Sequence, residues 1–467
     1  MLVKSLKPTL IDSIPVLKKN MADTKPRVWV EAYGCSASMA DSEMISGLLR
    51  ASGYELADRP DDVSLNVIVT CSVKDASEHR MLGRIDRLAQ TGKPLVVAGC
   101  LPKADRRRVE SLSPSASLMG PASIDRIVEI ANSALAGDRK VALEDTGRDK
   151  INIPRVRLNQ TVSIVEVASG CLSECTFCQT KLAKGMLRSY RIGDIIRQIE
   201  SDVKGGCREV WLTSTDNGCY GIEFGSDLVE LLSASCKVPG AFWIRVGMMN
   251  PMYLPRMQDR LVDLFRKEDK LFKFIHVPVE SGSDRILRKM KRGHTSKIFL
   301  EAVRELRRRL PEMTIATDVI VGFPGETEDD FEETLGVISE SRPDIVNISR
   351  YGARPGTAAA KSKGRVSSQV AKSRSERLHI LAKEIAESRN ELWIGWEGEV
   401  LVDELAANGS VAQGRNFAYK PVVLRGAAAG ISLGDRLRVK VYDFSNFSLR
   451  ANVIPQRSST LLRQDQL

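Results

Sequence analysis

Short apolar runs alternate with amphipathic stretches along most of the chain. From residue 27 the order is RVWVEAY, DSEMISGLLRASG, SLNVIVTC, DASEHRMLGRIDRLAQTG and PLVVAGC. Continuous runs rich in β-branched residues predict buried parallel strands, and apolar residues at helical spacing predict the helices that connect them. Residues 27–145 are therefore predicted to form an α/β domain built from βαβ units.

A second alternating series begins near residue 160. It contains TVSIVEVASG, EVWLTSTDNG, FWIRVGMMNP, LFKFIHVPVESG, MTIATDVIVGFPG and DIVNISRYGARPG, with helical stretches between them. About six strand–helix repeats predict a partial (β/α) barrel over residues 155–391, whose functional groups lie at the carboxyl ends of the strands.

The pattern changes again after residue 391. Short alternating strands such as KPVVLRG and GDRLRVKVYDF, with Gly and Asn turns, predict a small barrel over residues 392–455. The predicted fold class is α/β, with an N-terminal parallel α/β sheet domain, a central partial (β/α) barrel and a small C-terminal all-β barrel. Residues 1–26 and 456–467 are predicted to be a flexible extension and a tail.

The length of the chain agrees with several domains, because its 467 residues exceed the roughly 250–300 at which single cores stop growing. No apolar run reaches the roughly 18 residues that span a bilayer. Lys7, Pro8, Asp12 and Pro15 interrupt the apolar residues near the N-terminus, so no signal-type segment is predicted. We therefore expect a cytoplasmic protein with no membrane partner.

The formal net charge of +10 and the pI near 9.1 favour an anionic partner. The basic runs RILRKMKRGH, RELRRRL and KADRRRVE have the charge to neutralise nucleic-acid phosphates. A basic surface that simply faces solvent is the alternative.

Nine cysteines are too few for a disulfide scaffold in a chain of this length, which favours metal ligation or catalysis. Cys35, Cys71 and Cys100 each end one of the first three predicted strands. Because the carboxyl ends of parallel strands share one edge of a sheet, these three thiols are expected to converge there. Three buried structural cysteines are the alternative.

The stretch ASGCLSECTFCQT places Cys171, Cys175 and Cys178 on one predicted loop. No fourth Cys or His accompanies them at the spacing of a structural zinc site. Three thiolates on one loop suit a 4Fe–4S cluster in which one iron has no protein ligand. Zinc with a distant fourth ligand is the alternative.

A CxxxCxxC loop after the first strand of a (β/α) barrel resembles that of the radical S-adenosylmethionine superfamily. The resemblance implies that the open iron chelates the methionine moiety of S-adenosylmethionine, whose reductive cleavage yields a 5′-deoxyadenosyl radical. It also implies cofactor contacts for Phe177, within the triplet, and for strand-end residues of HVPVESGSD and DVIVGFPGETEDDF, namely Ser281, Gly282, Gly322 and Gly325.

Over residues 27–455 the chain resembles the methylthiotransferases. The stretches that carry this resemblance are YGCSASMADSE, VTCSVKDASEHR, VVAGCLP, VPVESGSDRIL and YGARPGTAAA. It implies a second, auxiliary 4Fe–4S cluster held by Cys35, Cys71 and Cys100. It also implies that one S-adenosylmethionine methylates a sulfur species, while a second yields the radical that removes hydrogen from an unactivated carbon. A sulfur donor and an electron donor are then required as partners.

The stretch TSTDNGCYG resembles the archaeal and eukaryotic branch of this family, and Glu280 stands where the family more often has Gln. That branch implies a tRNA partner and methylthiolation at C2 of N6-threonylcarbamoyladenosine at position 37, next to the anticodon. The alternatives within the family are N6-isopentenyladenosine in tRNA and an aspartate of a ribosomal protein. A non-catalytic, redox-sensing iron–sulfur RNA-binding protein is the alternative of another class.

The C-terminal barrel resembles the TRAM domain, an RNA-binding fold, and Arg436, Arg438 and Lys440 alternate along one of its predicted strands. Cys207 and Cys236 have no ligand-like spacing and are predicted to be structural. For Cys219, in a strand-end loop, burial is favoured and ligand contact is the alternative. His276 is expected to be a packed or hydrogen-bonding residue. The oligomeric state stays undefined.

Overall fold

The computed structural model describes residues 25–72, 75–406, 411–425 and 430–455. The predicted tail lies outside these residues, and so does the predicted N-terminal extension apart from its last two residues. In the described part of the chain, no helix is both long and apolar enough to cross a membrane.

The N-terminal domain is a six-stranded sheet in which every pair of neighbours is parallel, as the sequence predicts. Its order is β2-β1-β3-β4-β5-β6, and apolar helix faces cover both sides. The elements are β1 (Arg27–Ala32), α1 (Ser36–Ala51), β2 (Glu55–Leu56), β3 (Leu65–Thr70), α2 (Asp75–Gln90), β4 (Leu95–Gly99), α3 (Cys100–Ala104), α4 (Arg106–Leu112), β5 (Ser117–Met119), α5 (Ile127–Leu135) and β6 (Val141–Ala142).

The central domain is a partial barrel made of two parallel sheets, β11-β10-β7 and β12-β13-β14. A parallel bridge between Ile244 and Leu271 joins them, so β7 and β14 are the end strands. The elements are β7 (Val162–Glu166), β8 (Ala168–Ser169), α6 (Gln179–Lys184), β9 (Arg188–Ser189), α7 (Ile192–Lys204), β10 (Glu209–Thr213), α8 (Leu228–Cys236), β11 (Trp243–Val246), α9 (Leu254–Lys267), β12 (Phe274–His276), α10 (Asp284–Met290), α11 (Ser296–Arg309), β13 (Thr314–Val321), α12 (Glu328–Ser341), β14 (Ile345–Arg350) and α13 (Ser368–Glu391).

The C-terminal domain is a closed five-stranded barrel with the order β15-β16-β17-β19-β18. Its strands are β15 (Glu397–Leu405), β16 (Val411–Asn416), β17 (Pro421–Arg425), β18 (Arg436–Phe444) and β19 (Leu449–Val453). Alternate residues such as Val400, Val402 and Val439 fill the interior, which is the period of two expected of strands with one buried face. The predicted fold class is thereby confirmed in all three parts.

A buried ion cluster joins the C-terminal barrel to the central domain. The Asp344 carboxylate lies directly before β14 and is 1 % exposed. It accepts hydrogen bonds from Lys420 (2.8 Å), Arg389 (3.3 Å) and Arg307. These cations hold the pKa of Asp344 well below its usual range although burial opposes them. The barrel is therefore anchored through a paired charge rather than through apolar contacts alone.

Candidate active site

The first three cysteines follow three neighbouring strands, β1, β3 and β4. Cys35 precedes α1, Cys71 follows β3 and Cys100 begins α3, and the latter two are 5 % and 4 % exposed. A hydrogen bond from the Cys71 thiol is the largest cause of the pKa of Cys35 lying well below its ordinary value. Burial raises the pKa of Cys100 to about 12. The structure thus brings these thiols together at one sheet edge.

Gly34 explains how two of these loops come so close. Its φ is +111°, which favours glycine, and a Cβ at this position would lie 2.0 Å from Cβ of Cys71. Any larger residue would push the Cys35 loop away from the Cys71 loop. The close approach of these loops suits three thiolates that share one cluster.

The triplet lies on the loop between β8 and α6. The amide of Cys178 donates to the carbonyl of Cys175 (3.1 Å), and the amide of Thr176 donates to the carbonyl of Met290 at the end of α10 (3.0 Å). Cys171 is 7 % exposed, and burial raises the pKa of Cys175 to about 11. A tight turn pinned to the barrel therefore presents the three thiols.

Two buried charged residues, Arg292 and Glu280, lie beside the triplet. Arg292, which is 6 % exposed, donates to Sγ of Cys175 (3.3 Å) and to the carbonyl of Pro278 (3.2 Å). Glu280 has a φ of +68°, and burial raises its pKa to about 7 although Arg292 opposes the shift. Glu280 stands out in the sequence as a departure from the family pattern, whereas Arg292 belongs to the basic run RILRKMKRGH and nothing in that run separates it from the other cations.

Cys219 lies against the triplet. It is fully buried, and its thiol donates to the carbonyl of Asp216 (3.2 Å). Ligand atoms of Cys171, Asp216 and Cys219 lie within 4.8 Å of one another. A hydrogen bond with Cys219 is the largest cause of the lowering of the pKa of Cys171 to about 7. The burial of Cys219 favoured from the sequence is present, and its contact with a ligand stays an alternative.

A buried ion network connects the two groups of cysteines. Helix α6 starts directly after Cys178 and ends at Lys184, whose Nζ donates to Glu166 (2.8 Å). Lys150 donates to Asp41 (2.7 Å) and also contacts Glu166. Lys184 further favours the thiolate forms of Cys35 and Cys100. One short helix therefore links the triplet to the surroundings of the N-terminal thiols.

The strand-end residues expected to border a cofactor make close contacts with neighbouring helices. A Cβ at Gly282 would lie 2.5 Å from atoms of Glu333 and Thr334 in α12, and a Cβ at Gly322 would lie 2.7 Å from Cβ of Ala371 in α13. Gly322 has a φ of +75°. Helix packing accounts for both glycines.

Ser281 is fully buried and its hydroxyl lies 3.4 Å from that of Thr334, while Gly325 approaches the Lys289 side chain. Phe177 packs edge-on against Phe323. The cofactor contacts inferred for Phe177, Ser281, Gly282, Gly322 and Gly325 stay predictions.

The other sequence candidates take local roles in the structure. His276 shares a 3.0 Å contact with Asp318, in agreement with a hydrogen-bonding residue. On the C-terminal barrel, Arg436 and Lys440 donate to glutamates of β15 at 2.6 and 3.0 Å, and Arg438 lies 3.6 Å from one of them. The cationic strand face is thus already paired with acidic groups. Cys207 and Cys236 are buried.

Comparison with known proteins relates the chain to two family models. Residues 165–338 match the radical SAM superfamily, and residues 27–120 match the uncharacterized protein family UPF0004. The first match covers the triplet and the partial barrel, and the second covers the N-terminal thiols. The radical SAM match implies S-adenosylmethionine and a 4Fe–4S cluster as cofactors.

Three proteins called threonylcarbamoyladenosine tRNA methylthiotransferase, two of them qualified as probable, are similar over most of their length. The protein from Pyrococcus horikoshii is 37 % identical and covers 88 % of this chain and 99 % of its own length. The protein from Archaeoglobus fulgidus is 39 % identical, and the match covers 89 % of this chain and 96 % of that protein. The Drosophila melanogaster protein is 34 % identical, and the match covers 94 % of this chain and 80 % of that protein.

Among solved structures, the radical S-adenosylmethionine methyltransferase TsrM from Kitasatospora setae superposes with a TM-score of 0.52 at 15 % identity. The match covers 72 % of this chain and 77 % of TsrM, and it supports the fold alone. The sequence relatives go further, because they align across all three domains at above 30 % identity. This chain is a radical S-adenosylmethionine enzyme that belongs to the threonylcarbamoyladenosine tRNA methylthiotransferase family.

Proposed function

We propose that the protein inserts a methylthio group at C2 of N6-threonylcarbamoyladenosine at position 37 of tRNA. The observation that carries this proposal is the pairing of two thiol trios, one at the edge of the N-terminal sheet and one on the barrel loop, joined through α6. The names of the sequence relatives support the substrate.

The residues of the triplet fit the cluster that the superfamily implies. Three thiols lie on one turn, the Arg292 guanidinium faces one of them, and Cys171 already has a pKa lowered to about 7. Ligation requires thiolates, so a nearby cation and a lowered pKa both favour it. When bound, the cluster and S-adenosylmethionine supply the radical that abstracts hydrogen from an unactivated carbon.

We further propose that Cys35, Cys71 and Cys100 hold a second 4Fe–4S cluster. The lowered pKa of Cys35, the loop approach at Gly34 and the buried ammonium of Lys184 favour an anionic centre between these loops. In this assignment Lys184 and Lys150 balance the negative charge of the thiolates, while Glu166 and Asp41 keep the ammonium groups in place.

Protein groups then have three tasks. The α6 segment keeps the two trios at a constant separation, the end of the barrel excludes water, and Arg292 supports the triplet electrostatically. An electron donor and a sulfur donor are needed from outside the chain. RNA binding by the C-terminal barrel is part of the proposal, although its basic strand is paired with glutamates.

The test is anaerobic reconstitution followed by iron analysis and assay on tRNA. The wild type should bind about eight irons, and a variant with Cys35, Cys71 and Cys100 all replaced by Ala should bind about four. The wild type should convert threonylcarbamoyladenosine in tRNA to the 2-methylthio nucleoside, detected by mass spectrometry. The triple variant should still release 5′-deoxyadenosine but form no methylthio product.

Each alternative has its own result in this experiment. Product formed instead on isopentenyladenosine tRNA or on a ribosomal-protein aspartate would show that the chain performs the same reaction on a different substrate. No 5′-deoxyadenosine from the reduced wild type would favour a redox-sensing RNA-binding protein. About four irons in the wild type would reject the second cluster.

A further inference from the structure

A large cavity lies beside both groups of cysteines. Its volume is about 1060 Å³. One wall contains Ser72, which follows Cys71, and another contains the triplet loop with Cys178 and the first residues of α6. The end of β14 and the exposed side of α13 complete it. The cavity therefore adjoins the N-terminal trio and the triplet at the same time, where a carbon that receives a methylthio group must lie.

Three polar atoms on residues that line this cavity are buried and have no hydrogen-bond partner in the described part of the chain. They are Oγ of Ser72, Oε1 of Gln179 and Oη of Tyr351. The Ser72 and Gln179 residues are each only 3 % exposed. Buried polar groups are nearly always hydrogen-bonded in native proteins, so unpartnered atoms at one cavity indicate a ligand that supplies the partners. The functional groups of a nucleobase match this need.

Among the charged residues that line the cavity, one cation differs from the others. Arg354 contacts Glu78, and Lys372 lies 3.7 Å from Glu376. Arg350, the last residue of β14, is exposed and makes no ion pair or hydrogen bond within the described residues. Within that part of the chain, no protein anion competes for it. The ring of His379 contacts the backbone of its own helix at 2.6 Å.

We propose that this cavity receives the target nucleoside and that Arg350 pairs with the carboxylate of its N6 substituent. The inference rests on the proposed function, because the threonyl part of threonylcarbamoyladenosine ends in a carboxylate while an isopentenyl group is neutral. A guanidinium binds a carboxylate through two parallel hydrogen bonds, which gives geometric selectivity as well as affinity. Arg350 is in this view a specificity-determining residue.

The physical reason for selectivity is the cost of unpaired polar groups. A site that hydrogen-bonds a ligand group rejects an analogue without it, since the partners in the site are then left desolvated and unsatisfied. Ile348 and Ile380 also line the cavity, so an apolar wall is present as well. The carboxylate contact, rather than the apolar wall, separates the two adenosine substituents.

The test measures binding of anticodon stem-loop RNAs to the anaerobically reconstituted full chain. Three RNAs differ only at position 37, which carries threonylcarbamoyladenosine, its neutral analogue with a carboxamide in place of the carboxylate, or plain adenosine. Arg350→Gln should weaken binding of the first RNA by roughly tenfold and leave binding of the other two unchanged. Arg256→Gln is the matched control, because Arg256 is exposed on the outer helix α9 and should leave all three affinities unchanged.

The other possible outcomes can be told apart. An equal loss for all three RNAs would mean that Arg350 holds a backbone phosphate and would overturn the inference. An unchanged affinity of Arg350→Gln for the first RNA, with discrimination by the wild type intact, would overturn the inference but leave the proposed function standing. A wild type that binds the three RNAs equally would reject the proposed substrate and the inference together.

Discussion

The guanidinium of Arg292 donates a 3.3 Å hydrogen bond to Sγ of Cys175, although 117 positions separate the two residues. The same guanidinium donates to the carbonyl of Pro278, which holds it in place beneath the triplet. A buried arginine needs an anionic partner, and a thiolate of a metal cluster is one. The contact therefore indicates how the barrel supports the charge of its cysteine loop.

Replacing Arg292 should alter the electronic properties of the cluster at the triplet. In Arg292→Met the loss of a cation and of a hydrogen bond to sulfur disfavours the more negative reduced state, so the midpoint potential should fall by tens of millivolts. In Arg292→Lys, which keeps the charge, the midpoint potential should fall less. Redox titration followed by electron paramagnetic resonance measures both. Arg256→Met should leave the potential unchanged, and a rise or no change in Arg292→Met would contradict the prediction.

Replacing Cys219 tests whether this residue is a cluster ligand or only a neighbour of the triplet. Because three thiolates hold the cluster, Cys219→Ala should keep the same iron content, whereas Cys171→Ala should lose about four irons per chain. The measurement is iron and sulfide analysis after anaerobic reconstitution. A loss of about four irons in Cys219→Ala as well would identify Cys219 as a ligand.

The Asp344 cluster should be needed for the attachment of the C-terminal barrel. Asp344→Asn leaves Lys420, Arg307 and Arg389 without their buried anion, and breaking such a cluster costs about 3–5 kcal/mol. Denaturation should then show the C-terminal barrel separating at lower urea, and limited proteolysis should cut between α13 and β15. Exposed Glu384 offers a control, since Glu384→Gln should change neither result.

Glu209 should make stability depend on pH. This fully buried residue accepts a hydrogen bond from Trp211, and burial raises its pKa from 4.5 to about 7. Because the folded pKa is the higher one, ionisation destabilises the fold progressively as pH rises from about 4.5 to 7. Glu209→Gln removes that penalty, so it should raise the free energy of unfolding by about 3 kcal/mol at pH 8.5 and by under about 1 kcal/mol at pH 5.

Urea titrations at the two pH values measure this difference. Glu384→Gln again serves as the control, and its effect should be the same at both pH values. An equal gain for Glu209→Gln at pH 5 and pH 8.5 would show that packing, rather than the carboxyl charge, is responsible.

Local patterns are sufficient to predict the three-part fold. Apolar runs with helical stretches between them encode parallel sheets, and strict alternation encodes the closed barrel, because strand and helix periods are properties of neighbouring residues. The convergence of Cys35, Cys71 and Cys100 is also predictable, since parallel strands that end in cysteine share one edge.

Glycines show what local patterns leave open. The resemblance implies cofactor contacts for Gly282 and Gly322, and in the structure α12 lies close to Gly282 and α13 close to Gly322. A glycine reports only that something lies close, and the sequence carries no information on whether it is a cofactor or a helix.

The sequence by itself determined the types and order of the elements and the spacing of the six candidate thiols, because these depend on residues near one another in the chain. Tertiary structure alone decided that Arg292 meets Cys175, that Lys184 faces the N-terminal thiols, and that Arg350 lines a cavity between the trios. Burial and charge pairing act through space, so distant segments acquire these roles only when the chain is folded.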